Sequence, residues 1–295
     1  MKKLLLAGLV LALTSVAGLG LSFAQDKPME KVMIGTSPAL SSAGIFIAIE
    51  KGYLAEEGIE ADATTFHRSG GELLPSLIKG DLDVGAGNVS AGIYNAFNEG
   101  HGIQIVADKG HVAKDHGYLA LMAAKKHVPD GDVSKFKLQK GFKVSQTGPG
   151  VSQEVAYDKW AEHYGISIDD LEIVNLPLPG VGAALDSEQI DASIMIEPFV
   201  SRSIEQNMAV KIAGDDQVYP DQQSAVILFS PKFTKERPEV AQKFAKAYVR
   251  ALRDYNDAFE HGVGKEEVIK ILMKYTSVKD RPAYDRIVPA YLSPD

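Results

Sequence analysis

Ile190-Asp191-Ala192-Ser193-Ile194-Met195-Ile196-Glu197-Pro198 reads as a short strand, apolar on both faces, that opens on an acidic residue and closes on proline. A strand with no wet face belongs inside a covered sheet, expected here to be parallel. Pro198 has no N–H for a ladder, so the strand stops there and Glu197 is left at its C-terminal tip. In open α/β sheets, ligands bind at those tips. The stretch Leu82-Asp83-Val84-Gly85-Ala86-Gly87-Asn88 repeats the pattern 108 positions earlier, with Asp near the start of an apolar run.

The segments around the two copies match as well. Sliding the chain by 108 positions lays Leu77 on Leu185 and residues 69–72 on 177–180. In each half the order is strand, glycine-bearing loop, short helix, turn, strand. Before the first copy, a strand at 32–34, a helix over 43–57 and a strand from 59 are expected. A helix over 73–79 then ends at Gly80. A helix over 91–99 and a strand over 103–107 follow it. The second half predicts strands near 118–122, 142–145 and 171–176. It also predicts a helix closed by Gly165, with Val151, Val155, Trp160 and Tyr164 on its stripe, a loop over 177–182 and a helix over 183–186. Beyond a polar linker at 215–223 come a strand at 224–230, a long helix at 238–260 and a helix at 265–275. The tail over 290–295 shows no closing element, which suggests a chain that stops early. Short-range alternation of β and α argues for an α/β protein with two lobes of like design. Crossings near Tyr118 and Ser224 predict a two-stranded hinge suited to closure. The expected division is 25–117 with 224–295 as the first lobe and 118–223 as the second.

Composition narrows the class. Met1-Lys2-Lys3, an apolar run and the small-residue exit Ser22-Phe23-Ala24 predict a signal peptide over 1–24, cleaved after Ala24. About 270 residues remain, enough for a large core. The formal charge is −8, and losing Lys2 and Lys3 takes it to −10, which speaks against nucleic-acid binding. With no cysteine there are no disulfides, thiolate metal sites or cysteine nucleophile. Gly85-Ala86-Gly87-Asn88 lacks the third glycine of a dinucleotide loop, and Gly150-Val151-Ser152-Gln153-Glu154 lacks the closing glycine of a nucleophile elbow. His111 and His116 lie in a loop without metal-ligand spacing. No catalytic residue, cofactor or metal is expected, and the chain is read as a non-enzyme.

Taken in order, several stretches resemble a known family: the periplasmic solute-binding proteins of nitrate/sulfonate/taurine-type ABC importers, a group that includes binders of thiamine-pyrimidine precursors. They are Ile49-Glu50-Lys51-Gly52-Tyr53-Leu54-Ala55-Glu56-Glu57-Gly58-Ile59, Ser69-Gly70-Gly71-Glu72, Leu77-Ile78-Lys79-Gly80-Asp81-Leu82-Asp83-Val84-Gly85, Ala183-Ala184-Leu185, Ile190-Asp191-Ala192 and Ile196-Glu197-Pro198. The resemblance implies a type II periplasmic-binding-protein fold and a periplasmic, monomeric trap for a small organic or anionic solute. Such a trap delivers its cargo to an inner-membrane ABC permease with a cytoplasmic ATPase. The competing classes are an exported enzyme on the same fold and a ligand-loaded partner of a membrane sensor.

In such a trap the ligand contacts come from strand-end loops. Candidates are Thr36, Ser37, Ser69, Gly70, Gly71, Gly87 and Asn88 in the first lobe, and Gly148, Gly150, Val151, Ser152, Met195 and Glu197 in the second. The loop Gly148-Pro149-Gly150-Val151-Ser152 opens a helix, so its free N–H groups would suit an anion or carbonyl oxygen. The alternative for both glycine loops is ordinary turn and capping chemistry. Glu197 either faces the cleft, favouring a ligand with an amine or ring N–H, or bonds to neighbouring backbone or Arg202.

Overall fold

The computed structural model of the chain describes residues 28–66 and 70–295, so the expected signal peptide and Ser69 lie outside the described residues. Strand β1 (Glu30–Thr36) leads through a 3-10 turn into helices α1 (Ala43–Glu50) and α2 (Tyr53–Glu56), and β2 (Ile59–Thr65) follows. Next come α3 (Leu74–Lys79), β3 (Val84–Asn88), α4 (Ala91–Asn98) and β4 (Gln104–His111). A first crossing then delivers β5 (Leu119–Ala123), β6 (Lys143–Gln146), α5 (Ser152–His163), β7 (Glu172–Asn175), α6 (Leu178–Asp186), β8 (Ala192–Ile196), α7 (Phe199–Glu205) and β9 (Val210–Gly214). A second crossing returns to β10 (Gln223–Phe229), followed by α8 (Pro231–Glu236), α9 (Pro238–Glu260) and α10 (Lys265–Tyr275).

The strands form two five-stranded sheets, in the orders β2-β1-β3-β10-β4 and β7-β6-β8-β5-β9. Position by position the two orders are the same design. β1 pairs in parallel with β2 and β3, as β6 does with β7 and β8. The fourth strand, β10 in one sheet and β5 in the other, is antiparallel to both its neighbours. Both sheets are therefore mixed, which corrects the expectation of a parallel sheet around residues 190–198. That strand is nevertheless buried along its whole length. In each sheet the antiparallel strand is the one the chain lays down on arriving from the other lobe.

The repeated aspartates do the same work. Asp83 Oδ2 accepts the Met33 N–H of β1 at 2.9 Å, and Asp191 Oδ2 accepts the Lys143 N–H of β6 at 2.9 Å. Each backbone answers in the opposite direction, Asp83 N to Met33 O at 2.9 Å and Asp191 N to Lys143 O at 2.7 Å. Each carboxylate also meets a cation, Arg237 for Asp83 and Lys126 for Asp191, and the His127 ring lies 2.8 Å from Asp191 Oδ1 as well. Burial by itself would raise the Asp191 carboxyl, but hydrogen bonds from the Lys143 N–H and the His127 ring, with the Lys126 ammonium, hold it below the usual range. The 108-residue repeat is thus a physical one, in which an acid closes the entry end of the same strand pair in both lobes.

Some boundaries move. The helix expected over 43–57 breaks at Gly52, whose φ of +75° is a left-handed conformation that a side chain would disfavour. The supposed loop 177–182 is helical from Leu178, because Pro179 sits in the first turn, where its missing N–H is not needed. Val155, expected on the buried stripe of α5, is 46% exposed, and the buried face is Ala156, Tyr157, Trp160 and Ala161. Asp215, expected in a polar linker, is fully buried and accepts the Trp160 Nε1–H at 2.7 Å. Near the end of the given sequence a 3-10 turn at Arg281–Asp285 is followed by buried Ile287, Ala290 and Leu292.

Because Asp83 leaves Met33 N–H without a buried acceptor when truncated, Asp83→Ala is expected to cost about 1–3 kcal/mol in denaturant unfolding, with Asp83→Asn milder. Asp191→Ala is expected to cost less, since the Asp191 side chain is 19% exposed against 8% for Asp83 and water can replace it.

Candidate functional site

The strand ends of the two sheets face one another across a cleft. At its base a cavity of about 30 Å³ is lined by Ser37, Asn88 and Ser224 from the first sheet's side and Leu119, Thr147, Ser152, Gln153 and Ile196 from the second's. A wider mouth of about 410 Å³ shares Thr147 and is lined by Gly71 and Glu72 on one side and Gly148, Asn175 and Leu176 on the other. Parallel strands bring their C-terminal ends here. The antiparallel strands β5 and β10 bring their N-terminal ends, which is why Leu119 sits opposite Ile196 and Ser224 lies one residue before Ala225, the partner of Asn88.

The two lobes are joined by backbone across this cleft. Ser152 N donates to Val89 O at 3.0 Å and Ala91 N to Gly150 O at 2.7 Å, an isolated antiparallel bridge between Ser90 and Val151. Gly150 has a φ of +67°, and an added Cβ would stand 3.2 Å from Ala91 Cβ, so glycine lets the lobes approach there. Ser152 also bonds the second crossing: its hydroxyl donates to Ser224 O at 3.2 Å, and Gln222 Nε2 donates to Ser152 O at 2.9 Å.

These bonds correct the reading of the Gly148–Ser152 loop as a source of free N–H groups. Ser152 N is spent on Val89 O, and Gly150 N donates to Glu154 Oε1 at 2.9 Å. Thr147 N and Oγ1 both donate to Gln153 Oε1, each at 2.9 Å, while Gln153 Nε2 donates to Ile194 O at 2.8 Å. The hydroxyl hydrogens of Thr147 and Ser152 therefore point into protein, leaving oxygen lone pairs for the cavity. Donor capacity comes from elsewhere. The Asn88 carboxamide has no hydrogen bond to any described residue, Ser37 Oγ shares one with Ser42 Oγ at 3.1 Å, and buried Thr36 Oγ1 has no partner among the described residues.

Of the expected site residues, Ser37, Asn88 and Ser152 meet at the base of the cleft, and Gly71 and Gly148 at its mouth. Gly150 and Val151, with Ser152, line a separate groove of about 290 Å³ on the outer side of the bridge. Gly70 lies in the 3-10 turn beside Gly71, and Gly87 within β3. Met195 and Glu197 line none of these spaces. Met195 is 1% exposed, with Ser203 Oγ 4.0 Å from its sulfur. The Glu197 carboxylate is turned into α7: Oε2 accepts Ser201 N at 3.0 Å, and Oε1 accepts Ser201 Oγ at 2.8 Å and Val288 N at 3.3 Å. Arg202 takes no part in those bonds. Burial pushes the Glu197 carboxyl above the usual range despite these three donors. Towards β1 it is the backbone of Glu197 that makes contact, its carbonyl accepting Leu40 N at 3.2 Å.

Sequence reasoning missed Leu119, Ser224, Thr147 and Gln153. The first two were hidden because antiparallel strands present their starts; Thr147 stands one residue past the end of β6 and could have been found by the strand-end rule. It also missed Lys109, whose ammonium is completely buried and donates to Ser41 Oγ at 3.0 Å, two residues beyond the cavity-lining Ala39. Burial lowers its pKa to about 8. Among the described residues no group of His, Asp and Glu is arranged to hold a metal ion, and no helix is long and apolar enough to cross a membrane.

Two mixed sheets of matching order, crossed twice by the chain and closing strand ends on a shared cleft, define the periplasmic-binding-protein fold. The chain belongs to the NMT1-like family, which it matches over residues 25–272. Among solved structures it is similar to the ligand binding component of an ABC-type import system from Staphylococcus aureus with zinc bound, at 16% identity and a TM-score of 0.73, covering 89% of this chain and 84% of that one. It is also similar to the periplasmic aliphatic sulphonate binding protein SsuA from Escherichia coli, at 19% identity and 0.67, covering 90% and 84%. The periplasmic nitrate-binding protein NrtA from Synechocystis PCC 6803 is similar at 16% and 0.70, covering 86% and 69%. By their names these are binding proteins, and at such identities the likeness shows a shared fold. No curated protein sequence matches the chain.

The folded-state pKa of Lys109 lies below its ordinary 10.5, so its charged form is disfavoured by folding, and that penalty is full below pH 8 and fades as pH rises towards 10.5. Lys109→Met is therefore expected to stabilise the fold at pH 7 by on the order of 2–3 kcal/mol. Denaturant unfolding should show the gain shrinking when repeated near pH 10.

Proposed function

We propose that the chain is the periplasmic solute-binding component of an ABC importer, exported by its leader as residues 25–295, monomeric, with lobes 25–117 plus 224–295 and 118–223. It holds a small solute between the lobes and hands it to a membrane permease served by a cytoplasmic ATPase. The observation that carries this reading is the convergence of strand ends from both sheets on one cleft bridged by backbone hydrogen bonds. The fold family and the binding proteins of similar structure support it.

The site also bears on the ligand. Its base presents hydroxyl lone pairs from Thr147 and Ser152 together with the Asn88 carboxamide, which has no partner among the described residues, and among those residues no charged side chain lines it. A bare oxyanion would meet those lone pairs unfavourably, whereas an organic solute with both N–H or O–H donors and acceptor atoms satisfies them. The base, at about 30 Å³, takes a polar head of a few atoms; the mouth, at about 410 Å³, falls in the range of small-molecule sites and takes the body. Sulfonates and nitrate-like ions are the other solute classes in view, and the screen below separates them.

A thermal-shift screen of pyrimidines, sulfonates, nitrate, amino acids and aromatic acids tests this. A binder present at about 100 times its Kd adds about 2.7 kcal/mol to the native state and raises Tm. The expected hit carries both donors and acceptors, and Asn88→Ala should weaken it by about tenfold or more. A strong hit from nitrate alone, or a hit indifferent to Asn88, would overturn the assignment of ligand chemistry.

A further inference from the structure

The C-terminal segment touches both lobes on the side of the crossings. On the second lobe, Arg286 Nη2 lies 2.5 Å from Glu205 Oε1 of α7, and Val288 N donates to the buried carboxylate of Glu197 at 3.3 Å. On the first lobe, Asn256 of α9 exchanges two bonds with the backbone of Leu292, giving Nδ2 to its carbonyl at 2.7 Å and accepting its N–H at 3.3 Å. Ser293 N donates to Asp108 Oδ2 at 2.7 Å, and Tyr291 forms a bridge with His111 at the end of β4. Between the anchors, Ile287, Ala290 and Leu292 are buried.

We propose that residues 286–293 are a strap that sets the angle between the lobes, with Glu197 as the positioning residue that anchors it on the second lobe. A carboxylate buried to 1% exposure needs donors, and Glu197 takes them from its own helix, α7, and from the strap. It also ties the second lobe directly to the first through its carbonyl and Leu40 N. One residue therefore links the end of β8, the start of α7, the loop after β1 and the strap. Rotation of one lobe against the other cannot leave both sets of strap bonds in place, because they attach to different sheets. The strap makes closure depend on a segment far from the cavity lining. This inference rests on the reading of the protein as a two-lobe trap.

The test needs no ligand, so a failed ligand screen leaves it intact. The chain has no cysteine, so Tyr94→Cys on α4 and Val155→Cys on α5 can carry pyrene labels; both are exposed and line the groove outside the interlobe bridge. In the labelled protein the excimer-to-monomer emission ratio reports how closely the lobes meet. Arg286→Glu, which sets like charges against each other at Glu205, and Val288→Pro, which removes the N–H given to Glu197, should each lower the ratio by about half or more as open forms gain population. Adding Glu205→Arg to Arg286→Glu restores opposite charges and should recover the ratio. Arg286 is exposed enough that its variant folds whatever Val288→Pro does. An unchanged ratio in Arg286→Glu, or a loss that the charge swap fails to recover, overturns the proposal.

Discussion

Everything in this fold depends on two short stretches of backbone lying side by side. Val112 N donates to Gln222 O at 2.9 Å and Asp221 N to Val112 O at 2.7 Å, so the outgoing and returning crossings are paired where the chain changes lobe. Each crossing then feeds the antiparallel strand of the sheet it enters. The second sheet is built from one continuous stretch, β5 to β9, but the first cannot be completed before the second lobe has been laid down. The first waits for β10, which comes after the whole second lobe, and this makes the lobes two parts of one folding problem. Tyr118 and Ser224, the first residues past the crossings, share a hydroxyl hydrogen bond that ties the entries together.

Buried charge shows where structure yields to other demands. Asp83 and Asp191 are partly covered and well served by N–H donors and cations, and they close strand pairs. Lys109 and Asp215 are different. Lys109 is completely buried with a hydroxyl as its hydrogen-bond partner, and burial raises Asp215 to about 6 while leaving Oδ2 without a partner among the described residues. Such groups cost stability, since an ion out of water recovers its hydration only through several good partners. Both lie beside the machinery of closure: Ser41 follows the cavity loop, and Asp215 opens the returning crossing.

Much of the architecture was legible because it rests on local rules. The alternation of strand and helix, the Asp-led apolar runs and the helix ends came from periodicity and capping, which act within a few residues. The parts that were not legible depend on direction in space. Nothing local in Leu119 or Ser224 says that their strands run backwards, so that their first residues reach the cleft. Nothing in Gly148-Pro149-Gly150-Val151-Ser152 says that the Ser152 and Gly150 N–H groups are taken by Val89 and Glu154.

Glu197 marks the division. The sequence by itself fixed its place at the tip of a buried strand, because Pro198 ends the ladder and the preceding residues have no polar face. It also showed an aspartate near the start of an apolar run in both halves, and the hydrogen bonds of Asp83 and Asp191 then gave that repeat its use. Only the tertiary structure decided which way the carboxylate turns. A side chain at a strand tip can rotate towards either side, and the choice was settled by three donors, two on Ser201 and one on Val288, brought from a helix and from a segment ninety-one positions away. Ser201 lies only four positions on, but a donor as distant in the chain as Val288 leaves no trace in local pattern, so the direction of that carboxylate belongs to the fold.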